Sequence, residues 1–437
     1  MKINPIKSIQ GKISLPGDKS ITHRAIILSA LTENRVIIRN PLISEDTLAT
    51  LNGLSKLGVH YESRKDMLII NGEGLKMSHA RRNCTINIDC GNSGSTMRFL
   101  AGLLSGLKVR AVLTGDSSLS RRPMQRIISP LSLLGARIYS ENNDGHAPLL
   151  IEPAHLSGKD IRTSISSAEV KTSILLAGLL ADGKTSITEP MKSRDHTERM
   201  LFFLHTPISL EGNNVSIYGH SALYGDEISV PGDISSAAYF LALALILPES
   251  RILIKNCGIN PTRTGLLDSI RKMGGKIRIF NKRMYGCEPV ADIEAESSML
   301  HGISIGSEDI PSMIDELPVL SVLAAYSSGV TIVRGAGELR KKESDRISLI
   351  ISNLKKMNVA CREYKDGFEI EGIYNSSGEK IRDIKGADIE TEKDHRIAMA
   401  FTIACLAASS ESDIRDSESV SVSYPDFYKD LKKLIQQ

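Results

Sequence analysis

Lys19-Ser20, Asn92-Ser93-Gly94, Ser166-Ser167, Asp315-Glu316 and Asp394-His395-Arg396 each stand at the head of an apolar run rich in Ala, Leu and Ile. The runs read as buried helices, so these residues read as their first turns. A helix start presents unpaired N–H groups and a partial positive charge, which together bind anions. Arg24 follows Ser20 by four residues, and Arg98 follows Gly94 by four, so each pair shares a helix face. Gly94 has no side chain and lets a ligand approach the backbone closely. A single start of this kind is an ordinary Ser, Asn or Asp cap. Five of them, three with Lys or Arg alongside, point to an anionic ligand.

Two further stretches concentrate charge. In Glu338-Leu339-Arg340-Lys341-Lys342-Glu343-Ser344-Asp345-Arg346, Lys342 and Arg346 are spaced i,i+4, with Glu343 on the flank. A solvated, charge-laced helix start is the alternative. Ser120-Arg121-Arg122-Pro123-Met124 places two guanidinium groups just before an expected Pro-initiated helix. Arginine forks match phosphate and carboxylate bidentately, so they suit a doubly anionic substrate. The six cysteines show no CxxC or zinc spacing, which predicts free thiols in a reducing compartment.

The elements that must position these groups recur. Apolar, small-residue helices are expected at 20–31, 93–104, 167–180, 234–247, 312–326 and 394–408, at intervals of roughly 65–80 residues. All are too short to span a bilayer. A short β-type run follows each, as at 36–39, 185–188 and 252–255, and then an amphipathic helix. Those second helices are expected at 46–57, 123–134, 195–204, 261–273, 344–357 and 425–435. Several close on a glycine stop and another strand, as in Leu57-Gly58-Val59. The unit is helix, strand, helix, strand or two, six times over: an α/β chain with three units per half.

The halves open alike. Ile13-Ser14-Leu15-Pro16-Gly17-Asp18 returns about 215 residues later as Ile228-Ser229-Val230-Pro231-Gly232-Asp233. The first copy continues into Lys19, Ser20 and Arg24, the second into Ile234, Ser235 and Tyr239, so only the first offers a strong anion site. Two pseudo-symmetric domains follow, 16–228 and 1–15 plus 229–437, with the active site expected in the cleft between them. A chain of 437 residues is long enough for two domains of about 200 residues each. The domain switch is expected near 225–231. A net charge of only +3, no basic block and no tryptophan fit nucleic-acid binding poorly. The first ten residues hold no apolar signal region, so a cytoplasmic location is expected.

The stretch from Leu15-Pro16-Gly17-Asp18-Lys19-Ser20-Ile21-Thr22-His23-Arg24 and the stretch Gly91-Asn92-Ser93-Gly94-Ser95-Thr96-Met97-Arg98 resemble signatures of the 5-enolpyruvylshikimate-3-phosphate synthase family. So do Ser118-Leu119-Ser120-Arg121-Arg122-Pro123-Met124, Ser193-Arg194-Asp195-His196-Thr197-Glu198-Arg199, Lys342-Glu343-Ser344-Asp345-Arg346 and Asp394-His395-Arg396-Ile397-Ala398-Met399. The likeness runs in order from Pro16 to Pro425. It implies an inside-out α/β barrel of two domains, each of three βαβαββ units, with the N-terminal strand joining the second domain.

The resemblance also implies a reaction: transfer of the enolpyruvyl group of phosphoenolpyruvate to the 5-hydroxyl of shikimate 3-phosphate, with no metal or organic cofactor. Carried over by motif, Asp315 acts on the 5-hydroxyl, and Glu343 with Lys19 handles the proton at the methylene carbon. Lys19, Asn92, Gly94, Arg122, Arg346 and Arg396 take phosphoenolpyruvate. Lys19, Ser20, Arg24, Ser167, Ala168, Glu169, Arg194, Asp315 and Lys342 take shikimate 3-phosphate. The partners are then small molecules, with neither nucleic acid nor membrane, and the chain is expected to be a monomer.

Three positions depart from the family pattern. Glu169 stands where Gln is usual, an anion beside a phosphorylated substrate unless protonated or paired, with Lys171 as the expected partner. Val422, two residues before Tyr424, occupies a place where some members carry lysine, and Ser95 replaces a usual threonine. Gly94 keeps the open form of the site at which the family binds glyphosate, while Ser167-Ala168-Glu169-Val170-Lys171 is similar to the more tolerant branch. Two other readings compete. The related transferase acting on UDP-N-acetylglucosamine uses a cysteine on the loop that here is 116–123, which has none, and Lys-Asn where this chain has Lys19-Ser20. A non-catalytic phospho-ligand-binding protein would have no use for Lys19, Asp315 and Glu343 together.

Overall fold

Residues 1–72, 74, 84–375 and 377–435 are described by the computed structural model. Twelve α-helices occur among them: α1 Lys19–Ala30, α2 Glu45–Lys56, α3 Gly94–Gly106, α4 Gln125–Leu133, α5 Ala168–Gly178, α6 His196–Phe203, α7 Ile234–Ile246, α8 Gly265–Lys272, α9 Leu317–Ala325, α10 Arg346–Lys356, α11 His395–Leu406 and α12 Phe427–Ile435. Two kinds alternate. The odd-numbered helices are apolar all round: α7 is buried from Ile234 to Leu245 and α11 along its whole length. The even-numbered ones bury one face, as α8 does with Leu266, Leu267, Ser269 and Ile270.

Prolines shift several starts from those expected. The helix expected from 312 begins at Leu317, with Pro318 in its first turn, after two 3-10 turns at Ile310–Ser312 and Ile314–Glu316. Proline lacks an N–H and fits a first turn, where that donor would have no partner. Asp315 therefore sits on a 3-10 turn before the helix, not within it. Likewise α4 starts at Gln125, after an extended Arg122, because the residue before a proline disfavours the helical region. Pro261 heads a 3-10 turn of its own before α8.

The chain separates into two compact units, one made of Gly17–Val230 with Met284–Glu288, the other of Met1–Pro16, Pro231–Arg283 and Pro289–Gln437. Within the first, three four-stranded sheets share one order. Thr85–Asp89 runs parallel to Arg110–Thr114, which pairs antiparallel with Leu149–Glu152, itself antiparallel to Arg137–Ser140. Asp160–Arg162, Lys184–Thr188, Asn214–Tyr218 and Ile208–Glu211 repeat that order. Each parallel pair needs a crossover, and a largely buried helix supplies it. In the remaining sheet the parallel partner of Arg35–Arg39 is Glu227–Ser229, from the far end of the unit. The second unit closes on itself in the same way: Gln10–Ser14 lies parallel to Arg251–Gly258, and Lys2–Ile3 pairs with Ser412–Ile414.

Each unit has its own apolar core. In the Gly17–Val230 unit α3 and α5 pack closely because glycine lines the contact. A Cβ at Gly102 would lie 2.1 Å from the Ser173 carbonyl oxygen. Helix propensity alone favours Gly→Ala by about 1 kcal/mol. Packing outweighs it here, since the obstructing atom is backbone and cannot rotate away. Gly102→Ala is expected to destabilise the protein by roughly 1–3 kcal/mol, read as a lower thermal midpoint.

Candidate active site

In the Gly17–Val230 unit the Asp18 side chain caps α1 by accepting the Ile21 N–H at 2.9 Å. That cap sets Lys19 and Ser20, both half-buried, on the first turn. Lys19 Nζ lies 2.9 Å from Asp46 Oδ2, on the first turn of α2, where the Ser44 N–H donates to Thr47 Oγ1 at 2.9 Å and fixes the chain. One turn into α1, Arg24 is almost fully buried. It donates from Nε to Thr197 Oγ1 at 2.7 Å, from Nη1 to the Ser20 carbonyl at 2.8 Å and from Nη2 to Thr172 Oγ1 at 2.9 Å. Burial pulls its pKa down to about 10, against the support of Glu198 and Glu169 and with repulsion from half-buried Arg194.

The second helix start adds another cation. Arg122 is buried whereas its neighbour Arg121 is exposed, so only one of the two expected guanidinium groups points inward. Arg122 Nη2 donates to Asn92 Oδ1 at 2.7 Å, and Asn92 Nδ2 donates to Asp116 Oδ2 at 2.7 Å. Asp116 also accepts the Leu119 N–H at 2.7 Å and so shapes the loop that carries Arg122. A Cβ on Gly94 would come within 2.6 Å of Arg98 Nη1 and 3.2 Å of Arg122 Nη1. Glycine there leaves both guanidinium groups their positions.

Ser167 caps α5, and its N–H donates to Glu189 Oε1 at 3.0 Å. Ala168 and Glu169 follow on the same turn, half-buried. The expected Glu169–Lys171 pair does not form. Residues two apart on a helix point in opposite directions. Glu169 accepts from Ser95 Oγ at 2.7 Å and pairs with Arg98 Nη1 at 2.6 Å, whereas Lys171 turns into the interior toward Glu189 and Glu198.

The other unit holds a second charged cluster. Asp315 has Lys342 Nζ at 3.5 Å, Arg346 Nη1 at 3.6 Å and Arg396 Nη2 at 3.7 Å around its carboxylate. Arg346 is 1% exposed; it pairs with Asp394 Oδ2 at 2.8 Å and with Glu343 Oε2 at 2.5 Å. Asp394 also accepts from Ser344 Oγ at 2.9 Å and caps α11 through the Arg396 N–H at 2.9 Å. Burial works against the charge on Arg346, but Asp394 and Glu343 outweigh it and hold its pKa above the ordinary value. For Arg396 burial is likewise outweighed, chiefly by Asp315. Half-buried Val422 brings no cation, and Tyr424 is spent on a 2.8 Å bond to Asp430.

Lys19, Ser20, Arg24, Asn92, Gly94, Arg122, Ser167, Ala168, Glu169 and Arg194 thus belong to the first unit, and Asp315, Lys342, Glu343, Arg346 and Arg396 to the second. A profile of the family described as EPSP synthase (3-phosphoshikimate 1-carboxyvinyltransferase) matches residues 3–431. The chain belongs to the EPSP synthase family. A 3-phosphoshikimate 1-carboxyvinyltransferase of Carboxydothermus hydrogenoformans is 44% identical over 430 residues, covering 98% of each chain. One from a Thermoanaerobacter species is 43% identical over 435 residues, covering 99% of this chain and all of the relative. The solved EPSP synthase of Acinetobacter baumannii superposes with a TM-score of 0.86 at 41% identity, over 99% of this chain and 97% of that one. The enolpyruvyl transferase NikO of Streptomyces tendae superposes with a TM-score of 0.79 at 17% identity, over 99% of this chain and 96% of that one, a likeness of fold. The enolpyruvyl transferase fold that the resemblance implies is the fold this family member has.

Asp46, Asp116, Thr172 and Thr197 were not legible as site residues. Asp46 carried one signal, its place in the first turn after Ser44, but nothing local linked it to Lys19.

His23 lies between Lys19 and Arg24 in chain order and is wholly buried, with Nδ1 2.8 Å from Thr50 Oγ1. Burial first, then Lys19 and Arg24, push its pKa down to about 3. As pH falls below the unfolded value near 6.5, the unfolded chain takes up a proton that the folded one refuses. Stability from this residue is therefore complete above about pH 6.5 and declines by about 1.4 kcal/mol per pH unit below it. His23→Gln is expected to remove that slope, so that between pH 7 and pH 5 its thermal midpoint falls less than that of the natural protein.

Proposed function

We propose that this chain transfers the enolpyruvyl group of phosphoenolpyruvate to the 5-hydroxyl of shikimate 3-phosphate, releasing phosphate. The family membership supports the activity, and the ring of Lys342, Arg346 and Arg396 around Asp315 carries it for this chain. A protein that merely held phosphorylated ligands would have no use for a base among its cations. A transferase needs that carboxylate as a base beside the groups that hold its anions.

In the addition step Asp315 takes the proton of the 5-hydroxyl as its oxygen bonds to C2 of phosphoenolpyruvate. Glu343, with Lys19, delivers a proton to the methylene carbon, giving a tetrahedral ketal phosphate. In the elimination step Glu343, with Lys19, takes a proton back from the new methyl group, the C–O bond to phosphate breaks as the proton held by Asp315 goes to the leaving phosphate, and the enol ether remains. Arg122, Arg346, Arg396 and Lys19, with Asn92 and the open backbone at Gly94, bind the carboxylate and phosphate of phosphoenolpyruvate. Ser20, Arg24, Ser167, Ala168, Glu169, Arg194 and Lys342 bind shikimate 3-phosphate. No helix among the described residues is long and apolar enough to cross a membrane, and the enzyme is expected to act in the cytoplasm as a monomer.

Phosphate release from phosphoenolpyruvate should depend on added shikimate 3-phosphate. Asp315→Asn should lower kcat by about 10²–10⁴-fold. Ligand binding without turnover in the natural protein would favour a binding role instead. Glu169, one third exposed, already neutralises Arg98. Glu169→Gln is accordingly expected to lower KM for shikimate 3-phosphate by roughly two- to fivefold, the range of a partly exposed ion pair. An unchanged KM would show that the charge at this position is fully screened.

A further inference from the structure

Lys171 is 1% exposed, and both its partners, Glu189 and Glu198, are buried as well. Its Nζ lies 2.8 Å from Glu189 Oε2 and 2.6 Å from Glu198 Oε1. Burial pulls the ammonium pKa down, but Glu198 and then Glu189 outweigh it and keep it raised; burial likewise raises Glu198. None of the three was read as a substrate contact.

The partners of this triad are what single it out. Glu189 Oε1 accepts the Ser167 N–H at 3.0 Å, while Oε2 accepts from Ser193 Oγ at 2.8 Å and the Ser193 N–H at 3.3 Å. It thereby ties the start of α5 to the residue before Arg194. Glu198 lies on α6 directly after Thr197, and Thr172 on α5 directly after Lys171. Those two hydroxyls are 2.5 Å apart, and both accept from Arg24. One ammonium group therefore links α5, the segment at Glu189 and α6, and through them the Ser167 start, the residue before Arg194 and the two hydroxyls that hold Arg24.

Stability alone is a poor reason to keep such a triad. Replacing a buried ion cluster by packed apolar side chains is often neutral or stabilising. A fixed geometry that apolar packing cannot impose is the better reason, because loss of about 1 Å of precision in a site can cost far more than a contact.

We propose that Lys171, with Glu189 and Glu198, is a positioning group for the shikimate 3-phosphate half of the site, acting through Ser167, Arg194 and Arg24 and touching no substrate itself. The proposal rests on the activity set out under Proposed function. It is tested with Lys171→Met and, because two abandoned carboxylates could prevent folding, with Lys171→Met/Glu198→Gln, which removes one of them. Calorimetric titration with shikimate 3-phosphate, steady-state KM for both substrates and thermal midpoints are measured on the whole chain. Both variants are expected to bind shikimate 3-phosphate about tenfold more weakly, with KM for phosphoenolpyruvate within about twofold of the natural protein. If only the double variant folds, it alone decides. A folded double variant that binds shikimate 3-phosphate within about twofold of the natural protein overturns the proposal, as does an equal rise in both KM values. A natural chain that binds no shikimate 3-phosphate overturns the proposed activity instead.

Discussion

Arg346 and Asp394 are both almost wholly buried, and their 2.8 Å ion pair sets the geometry of the second charged cluster. Asp394 accepts from Arg346 on both carboxylate oxygens, at 2.8 and 3.3 Å, and caps α11 with Oδ1, so a helix start and a guanidinium group are fixed by one residue. The constraint behind it is general in this chain. Helices buried on every side place their first turns inside the protein, where an unpaired charge costs several kcal/mol. Each charge there needs a countercharge or hydrogen bonds fixed by the fold. Lys19 has Asp46, Arg98 has Glu169, and Lys171 has two glutamates.

Orientation follows from that pairing. Long cationic side chains lose much rotamer freedom when they bind a ligand. Here Arg24, Arg122 and Arg346 are already held by hydrogen bonds to protein groups, so little of that freedom remains to be lost. On the proposed activity, a substrate phosphate or carboxylate would meet guanidinium groups already in place. Asp315 is fixed in the same way: three cations at 3.5–3.7 Å surround its carboxylate. The backbone supplies the remaining space, through Gly94 beside two guanidinium groups and Gly102 where α3 meets α5.

Chain closure is the other device. In each unit the first repeat takes its parallel strand from a distant segment, Glu227–Ser229 in one and Gln10–Ser14 in the other. A parallel pair cannot be made by a tight turn, so joining the distant segment ties the unit into one body. The repeated Leu-Pro-Gly-Asp and Val-Pro-Gly-Asp entries mark where these joins occur.

The sequence by itself determined the sixfold alternation of wholly buried and one-sided helices, since apolar periodicity is a local property that survives to the folded state. It also determined the caps and cationic side chains of the helix starts, since caps, arginines and their i,i+4 spacing are read over a few residues. Helix starts next to prolines were less legible, because a proline heads a 3-10 turn or a first helical turn with equal ease; the late start of α9 at Leu317 is the clearest case. Tertiary structure alone decided the pairings. Lys19 with Asp46, Arg24 with Thr197 and Arg346 with Asp394 join residues 27, 173 and 48 positions apart, and Glu169 turned to Arg98 instead of the nearby Lys171. Such contacts depend on which helix faces meet across a packed core, and no local pattern encodes that meeting.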